Sequence, residues 1–278
     1  MPQLIESFNM IRIAIAGGAG RMGRALLSAG DADDRVSVVH VFERPDHESV
    51  GRSACALADI QSSQLSVCEG IAGPPFDVLI DFTSPESTLI NLHYCADHGI
   101  KAVIGTTGFS VEQQEHIRSI AEKIAIVWAP NMSVGVNITL KLLEVAAKAF
   151  GNDADIEVIE AHHRHNVDAP SGTALKMGEV VAKALGRNLS DHGVFAREGA
   201  VGPRADREIG FSTIRAADVV GEHSVWFAGA GERVEIVHKA TSREIYALGA
   251  IRSTVWVADQ DVGLFDMQDV LGIKDVTG

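Results

Sequence analysis

The amino-acid sequence predicts an α/β protein: a doubly wound parallel sheet in the N-terminal part, followed by an α+β domain with a mixed or antiparallel sheet. Three observations lead to this prediction. In the first half, short apolar runs alternate with helical stretches, which is typical of a parallel sheet covered by helices on both faces. A glycine-rich turn joins the first apolar run to a helical stretch. After residue 134, apolar and polar residues alternate between turn residues, which favours antiparallel or mixed strands.

The elements of the first half follow from apolar runs and helix signals. Strands are expected at Ile11–Ala16, Val36–Phe42, Phe76–Phe82, Lys101–Ile104 and Ile124–Trp128. Helices are expected from about Met22, over Pro85–His98 and over Ser110–Lys123. Ser110 is a suitable N-cap because its hydroxyl can accept from the first turn.

The second half has a different order of elements. Helices are expected at Asn137–Phe150, Thr173–Leu185 and Glu244–Ala258. Strands are expected at Ile156–Ala161, Gly210–Ala216, Glu222–Ala228 and Arg233–Lys239. We therefore predict a first domain over residues 1–134, a second over residues 135–243, and a C-terminal segment, 244–278, that returns to the first domain.

The composition restricts the class of protein. The 278 residues are 46% hydrophobic and 22% charged, and the net charge of -13 argues against a nucleic-acid or membrane-surface binder. The three cysteines, Cys55, Cys68 and Cys95, include no Cys-x-x-Cys pair, which favours free thiols in a reducing compartment. Residues 1–9 lack a signal-peptide pattern and no apolar run approaches the ~20 residues of a membrane span, so we expect a cytoplasmic protein.

The glycine-rich turn has the pattern of a dinucleotide-binding loop. Residues 17–23 read G-G-A-G-R-M-G, with G-x-G-x-x-G starting at Gly18, between a predicted strand and a predicted helix. Glycines let backbone N–H groups approach a pyrophosphate, and the helix N-terminus adds partial positive charge. Glu43 follows at the distance of a ribose-binding acid, and Arg44 beside it can pair with a 2′-phosphate. The sequence therefore predicts a Rossmann-type domain that uses NADPH or NADH.

Two further strand ends carry small and polar residues, Gly105–Gly108 and Ala129–Met132. Ligands of open α/β sheets bind at the carboxyl ends of the strands. Both segments are therefore candidates for the same ligand site.

A second group of polar residues lies in the second domain, where residues 160–174 read EAHHRHNVDAPSGTA. The start of the predicted helix would offer hydroxyl and backbone N–H groups to a carboxylate, from Ser171, Gly172 and Thr173. The preceding loop adds side chains that can be cationic, namely His162, His163, Arg164 and His165. Together these groups suit a small polyanionic substrate.

Other interpretations of this segment are less specific. Adjacent histidines on a loop are commonly solvated, and a serine before a helix is commonly only a cap. The segment lacks H-E-x-x-H spacing and a nearby Cys-x-x-Cys pair, so we expect no metal. The chain has no G-x-S-x-G nucleophile motif, which argues against a serine hydrolase.

Taken together, the chain resembles the 4-hydroxy-tetrahydrodipicolinate reductase (dihydrodipicolinate reductase) family of the diaminopimelate–lysine pathway. The similar segments occur in the family's order through nearly the whole chain: AGGAGRMGR (16–24), IDFTSPE (80–86), GTTGF (105–109), NMSVGVN (131–137), EAHHRHNVDAPSGTA (160–174), VVGEHSVWF (219–227) and GERVEIVHKATSR (231–243). The histidine-pair segment is the most diagnostic of them.

The resemblance implies an oxidoreductase that reduces a cyclic dicarboxylate to tetrahydrodipicolinate with NADPH or NADH, for lysine and diaminopimelate biosynthesis. It implies His162 as the catalytic acid and His163, Ser171, Gly172 and Thr173 as substrate-binding residues. It implies cofactor contacts from Gly17, Gly18, Ala19, Gly20, Arg21, Met22, Glu43, Arg44, Gly105, Thr106, Thr107, Ala129, Pro130, Asn131 and Met132. It also implies a homotetramer joined through sheets of the second domain.

One position departs from the family pattern. The family has a lysine, assigned to substrate binding and proton donation, where this chain has Asn166. Asparagine has no charge and no proton to give at neutral pH. Loss of a charge-assisted hydrogen bond costs about 1.5–3 kcal/mol, and loss of a general acid about 10²–10⁴ in rate. We expect impaired turnover, unless Arg164 or His165 compensates.

Two alternatives to the reductase remain. A non-catalytic dinucleotide-binding sensor or regulatory paralogue is favoured only by Asn166. A semialdehyde dehydrogenase would need a nucleophilic cysteine in the second domain, whereas all three cysteines precede residue 100.

Overall fold

The computed structural model describes residues 10–60 and 65–276. Residues 1–9, in which the sequence shows no signal-peptide pattern, lie outside this part. The chain divides into two compact units. The first unit holds the described residues up to Val134 together with Glu244–Gly272, and the second holds Gly135–Arg243 and the described residues after Gly272. Among the described residues, no helix combines the length and the apolar character needed to cross a bilayer.

The helices and strands are named in chain order. The strands are β1 (Ile11–Ala16), β2 (Val36–Glu43), β3 (Cys68–Glu69), β4 (Val78–Asp81), β5 (Lys101–Ile104), β6 (Ala125–Trp128), β7 (Asp155–His162), β8 (Gly193–Val194), β9 (Ile209–Arg215), β10 (Gly221–Gly229), β11 (Glu232–Ala240) and β12 (Gly263–Phe265). The helices are α1 (Arg21–Asp31), α2 (Ala54–Ala58), α3 (Pro85–His98), α4 (Val111–Ile120), α5 (Val134–Phe150), α6 (Gly172–Ala184), α7 (Leu189–His192), α8 (Glu244–Val257) and α9 (Met267–Leu271).

The first unit is built on a seven-stranded sheet in the order β12-β6-β5-β4-β1-β2-β3, in which all neighbours are parallel. Ile13 and Ile15 of β1 face a core shared with α1 and α8, whereas Ala14 and Ala16 face a core shared with α3 and α4. Helices thus cover both faces, which confirms the predicted doubly wound sheet. The strand order reverses between β1 and β4, where the carboxyl ends of such a sheet open a ligand crevice.

The second unit is built on a five-stranded sheet in the order β11-β10-β7-β9-β8. β10 is antiparallel to β7 and β11, whereas β9 is parallel to β7 and β8, which confirms a mixed sheet. The inner face is apolar at one end, where Ile156, Val158 and Phe227 pack with residues of α5 and α6. At its other end the same face carries polar side chains, because β7 ends in Glu160 and His162.

The structure departs from the predicted elements mainly at short segments. The strands β3, β8 and β12 have two or three residues each, too few to show a hydrophobic period, and the sequence did not indicate them. Helix α5 begins at Val134, three residues before the predicted Asn137. The predicted return of 244–278 to the first domain is wrong for its last residues, because the return ends at Gly272. Beyond that point the Lys274 carbonyl accepts from Lys141 Nζ of the second unit at 2.8 Å.

Candidate active site

The glycine loop of the first unit lies between β1 and α1, and its backbone leaves no room for side chains. Gly17 has a φ of +67°. A Cβ at Gly18 would lie 2.1 Å from a methyl group of Val41, and one at Gly23 would lie 2.2 Å from the Gly17 carbonyl oxygen. The N-cap of α1 is Gly20, which has no side chain to bind the first-turn N–H groups. A close-packed loop with an uncapped helix start fits a dinucleotide pyrophosphate.

Glu43, the predicted ribose-binding acid, ends β2 beside this loop. Its Oε1 accepts from the Ala19 backbone N–H at 3.0 Å, so the carboxylate lies against the loop. Arg44 follows directly and is exposed. The predicted acid and its neighbouring cation therefore lie at the same edge of the sheet as the glycine loop.

The segments after β5 and β6 lie at this edge too, but several of their side chains point into the protein. Thr106 is buried, and its Oγ1 contacts Thr83 N at 3.0 Å and Thr88 Oγ1 at 2.8 Å. Met132 is buried in the core of the first unit. These two residues can therefore meet a ligand only through their backbone, whereas Thr107 and Pro130 are exposed.

The sequence analysis missed two residues that organise this edge. Asp81 is fully buried and accepts from Thr83 Oγ1 at 2.6 Å and Asn91 Nδ2 at 2.8 Å. Thr83 in turn lies so near the glycine loop that a Cβ at Gly17 would be 2.8 Å from its methyl group. Their position at the end of β4 was visible, but their hydrogen bonds depend on neighbouring strands.

In the second unit, His162 is bound to a buried acid. Glu160 and His162 are two residues apart on β7, so both side chains are on the inner face. His162 Nδ1 is 2.6 Å from Glu160 Oε2. Arg215 of β9 donates to both carboxylate oxygens, at 2.8 Å and 2.9 Å. Burial raises the pKa of Glu160, but the hydrogen bonds from Arg215, His162 and Ser171 together hold that pKa below its ordinary value.

The predicted substrate loop is joined to the same acid. The Ser171 backbone N–H donates to Glu160 Oε1 at 3.1 Å, and Ser171 Oγ accepts from Ala174 N as the N-cap of α6. Ser171 Oγ also lies 3.3 Å from His223 Nε2 of β10, and the His223 ring meets that of His162 edge-on at 5.1 Å. Burial lowers the pKa of His223 to about 4, so this ring is neutral near pH 7.

His163, the second histidine of the pair, has different neighbours from His162, namely Arg243 and His165. His163 Nε2 lies 2.9 Å from Arg243 Nη2, and the His163 ring is 6.3 Å from that of His165. Loss of solvation, followed by the charge of Arg243, lowers the pKa of His163. Arg243 thus brings a positive charge next to the histidine pair in an acidic protein.

Asn166 closes a turn between the histidine pair and the substrate loop. Its backbone N–H donates to the His163 carbonyl at 3.0 Å, and its Oδ1 accepts from the Asp168 N–H at 3.0 Å. Its own carbonyl accepts from Arg215 Nε at 3.2 Å. The side chain of Asn166 thus stabilises the turn. The guanidinium of Arg215 forms its hydrogen bonds with Glu160 and with backbone carbonyls, including those of Asn166 and Asp168.

Sequence reasoning missed the residues that other strands bring to this site. Arg215, His223 and Arg243 come from β9, from β10 and from the residue before α8. The register pairs His223 with Glu160, which a single sequence does not reveal. For Glu160 a signal was present, because its spacing of two from His162 places both side chains on one face of a strand.

Comparison with known proteins gives concordant matches over nearly the whole chain. A family model described as "Dihydrodipicolinate reductase, N-terminus" matches residues 11–132, and one described as "Dihydrodipicolinate reductase, C-terminus" matches residues 135–271. The chain is 57% identical over 267 residues to a 4-hydroxy-tetrahydrodipicolinate reductase of Methylococcus capsulatus, covering 95% of this chain and 99% of the relative. It is 55% identical to a relative of the same name from Chromohalobacter salexigens, covering 95% of this chain and 100% of that relative.

A solved structure agrees with these matches. A dipicolinate-bound dihydrodipicolinate reductase from Paenisporosarcina sp. TG-14 superimposes with a TM-score of 0.75 at 25% identity. The match covers 94% of this chain and 99% of that one.

Proposed function

The chain belongs to the dihydrodipicolinate reductase family, and from this membership we propose that it reduces 4-hydroxy-tetrahydrodipicolinate to tetrahydrodipicolinate with NADPH or NADH. The reaction serves diaminopimelate and lysine biosynthesis. The observation that carries the proposal is the buried Glu160–His162 pair beside the Ser171 helix start, with Arg243 bound to the neighbouring His163. It provides a proton donor and a carboxylate site together.

The first unit is the cofactor domain of this proposal. When bound, the reduced nicotinamide supplies the hydride. The glycine loop and the start of α1 would hold the pyrophosphate, and Glu43 would exchange its bond to Ala19 for the ribose hydroxyls. Arg44 would form an ion pair with the 2′-phosphate of NADPH. Backbone groups of 105–107 and 129–132 would complete the site.

The second unit binds the dicarboxylate. The start of α6 would offer backbone N–H groups and the Thr173 hydroxyl to one carboxylate. Arg243 provides a cationic donor for the other, and His163 lies beside it at 2.9 Å. An arginine matters here, because the overall charge of -13 repels anions at longer range.

His162 gives the proton that the reduced ring requires. Its side chain is only 11% exposed, and its Nδ1 lies 2.6 Å from Glu160 Oε2. A histidine is suited to this role because its ordinary pKa lies near the working pH.

Asn166 is the feature that would reduce the rate. Its amide cannot donate an ionic proton, and its Oδ1 is held by the Asp168 N–H. Arg215 does not replace the family's lysine, because its guanidinium is bound to Glu160. His165 is a candidate for compensation, since the centre of its ring lies 6.3 Å from that of His163.

The alternative function is a non-catalytic dinucleotide-binding sensor, which Asn166 alone favours. In that case the protein would bind reduced cofactor without oxidising it in the presence of substrate. The intact Glu160–His162 pair and the Ser171 cap favour the reductase.

We also propose that the protein is a homotetramer. The outer face of the second sheet carries Ile214 and Val237, each 49% exposed, and the half-buried Trp226. Exposed apolar side chains on a sheet face are suited to self-association between copies. A cytoplasmic location and the lack of nucleic-acid or membrane partners remain predictions from composition.

The test is oxidation of NADPH and NADH in the presence of substrate formed in place from pyruvate and aspartate semialdehyde. We expect oxidation that depends on both precursors and that dipicolinate inhibits competitively. The His162→Gln variant should be slower by about 10²-fold or more. Cofactor binding with no substrate-dependent oxidation, even in an Asn166→Lys variant, would favour the sensor.

A further inference from the structure

Glu160 is a buried acid, and both of its carboxylate oxygens have hydrogen-bond partners. Its side chain is 1% exposed. Oε1 accepts from the Ser171 N–H at 3.1 Å and Arg215 Nη2 at 2.9 Å. Oε2 accepts from Arg215 Nη1 at 2.8 Å and lies 2.6 Å from His162 Nδ1. An acid buried this far is stable only when its charge is compensated, and here Arg215 compensates it.

The charge state of Glu160 determines which nitrogen of His162 carries hydrogen. A carboxylate paired with arginine has only acceptor atoms. The contact at 2.6 Å is therefore a hydrogen bond in which His162 Nδ1–H donates. In the neutral ring, Nε2 is then the atom without hydrogen.

The other edge of the His162 ring is kept clear. A Cβ added at Gly221 would lie 3.2 Å from His162 Nε2, a tight contact that the glycine avoids. No described residue forms a hydrogen bond with Nε2 in the structure. Nε2 is thus the nitrogen available to a ligand.

We propose that Glu160 is a positioning residue for the reduction, which holds His162 in the Nδ1–H form and so directs proton transfer through Nε2. In that step the Nε2–H bond of the imidazolium breaks and the proton forms a C–H bond with the enamine-like ring left by hydride transfer. The imidazolium thereby becomes a neutral imidazole whose Nδ1–H stays bound to Glu160. The inference rests on the proposed function, because it takes His162 as the proton donor.

A purely structural role for Glu160 must be separated from this one. Through Arg215 and the Ser171 N–H, the same carboxylate also stabilises the turn at Asn166 and the start of α6. Loss of activity in a variant would therefore not suffice. The tautomer of His162 is the property that only the positioning role controls.

The first experiment reads that tautomer in the unaltered full-length chain. The protein is labelled with ¹⁵N in its 11 histidines, and the His162 signals are assigned by their absence from His162→Gln. At a pH where His162 is neutral, we expect Nδ1 to be protonated and Nε2 not. Protonated Nε2 with unprotonated Nδ1 would overturn the proposal.

The second experiment compares Glu160→Gln, Glu160→Asp and the control Glu157→Gln. Glu157 is on the same strand, on the opposite face, and also pairs with arginines. Glu160→Gln should lose the Nδ1–H preference and lower kcat by about 10²-fold or more, with a much smaller change in KM. Glu160→Asp should retain part of the Nδ1–H preference and part of the kcat. Glu157→Gln should change neither the tautomer of His162 nor kcat. The kcat ratios are measured with Asn166 and again in an Asn166→Lys background.

The outcomes distinguish failure of the positioning role of Glu160 from failure of the proposed reductase function. A fall in kcat with His162 still in the Nδ1–H form would show a structural role and overturn the proposal. If Glu160→Gln does not fold, the tautomers of the unaltered chain and of Glu160→Asp decide. Absence of oxidation in both backgrounds contradicts the proposed function, whereas normal oxidation with an Nε2–H tautomer contradicts only the positioning role.

Discussion

The imidazole of His223 illustrates how burial at the candidate site couples stability to pH. Burial is the main cause that lowers its pKa from 6.5 to about 4, with a further lowering from His162 and His238 and an opposing effect of Glu160. In the unfolded chain the pKa returns to its ordinary value. Between about pH 4 and pH 6.5 the unfolded state therefore binds more protons than the folded state. Acid then favours unfolding in this range.

We predict that His223 lowers the free energy of unfolding of the second unit by about 2 kcal/mol when the pH is reduced from about 7 to about 5. The His223→Gln variant should lack this contribution. Urea unfolding is followed by the fluorescence of Trp226, with Trp128 and Trp256 replaced by phenylalanine. An equal loss of stability in both proteins would contradict the assignment of a low pKa to His223.

A substitution at Gly221 tests whether His162 Nε2 must be accessible to a ligand. In Gly221→Ala the new methyl group would lie 3.2 Å from Nε2, so the ring must shift. We predict that kcat falls about tenfold, because small displacements of a reacting group are costly, while NADPH affinity is unchanged. Gly229→Ala, at the far end of the same strand, is the control, since its nearest atom is 3.7 Å away. Equal kcat values of the two variants would show that catalysis does not depend on the space between residue 221 and His162 Nε2.

At the scale of elements, the loop between β1 and α1 is the part whose chemistry depends on backbone geometry. A Cβ at Gly23 would collide with the Gly17 carbonyl oxygen and with the backbone of Gly18, at 2.2 Å and 2.6 Å. Backbone atoms cannot turn aside as a side chain can. The loop must therefore move if residue 23 carries a side chain.

We predict that Gly23→Ala weakens NADPH binding by about tenfold or more, which corresponds to about 1.4 kcal/mol. The measurement is titration of the cofactor fluorescence. Gly30→Ala in the same helix is the control, because its Cβ would meet the side chain of Val38 and not the loop. If both variants bind NADPH as tightly as the unaltered chain, the loop is not the pyrophosphate site.

The elements that sequence predicts well are those whose pattern is local. The strands β1, β5 and β6 are apolar except for Arg12 and Lys101, and Ser110 caps α4 as expected, with Gln113 completing a capping box. β3 and β12 could not be predicted, because two or three residues acquire strand conformation only by pairing with β2 and β6. Short strands depend on tertiary structure more than on their own residues.

The same distinction applies to the candidate site. His162 and Ser171 lie in one contiguous segment, which the sequence marks by composition and by its place before a helix. Arg215, His223 and Arg243 lie about 50 to 80 residues away and reach the site through strand register and a chain turn. A single sequence does not specify that register.

At the scale of the whole molecule, the outer face of the second sheet is a candidate surface between copies. Val237 and Ile214 are exposed there, and Arg233 covers Trp226 at 4.0 Å from the ring centre. We predict that Val237→Glu lowers the molar mass found by light scattering, because a charge would be buried at an apolar contact. Leu248→Glu, which is similarly exposed on α8 of the first unit, should leave the mass unchanged. A monomeric mass for the unaltered chain would contradict a homotetramer.

The central claim is that this chain is a family reductase whose rate is limited by Asn166. The most direct test compares kcat of the unaltered chain and of Asn166→Lys, by substrate-dependent oxidation of NADPH with cofactor binding measured on both. We predict oxidation by both proteins, with the lysine variant faster by about 10²-fold or more. Equal rates would show that another group, such as His165, already replaces the lysine. Binding of NADPH by both proteins without oxidation by either would contradict the account.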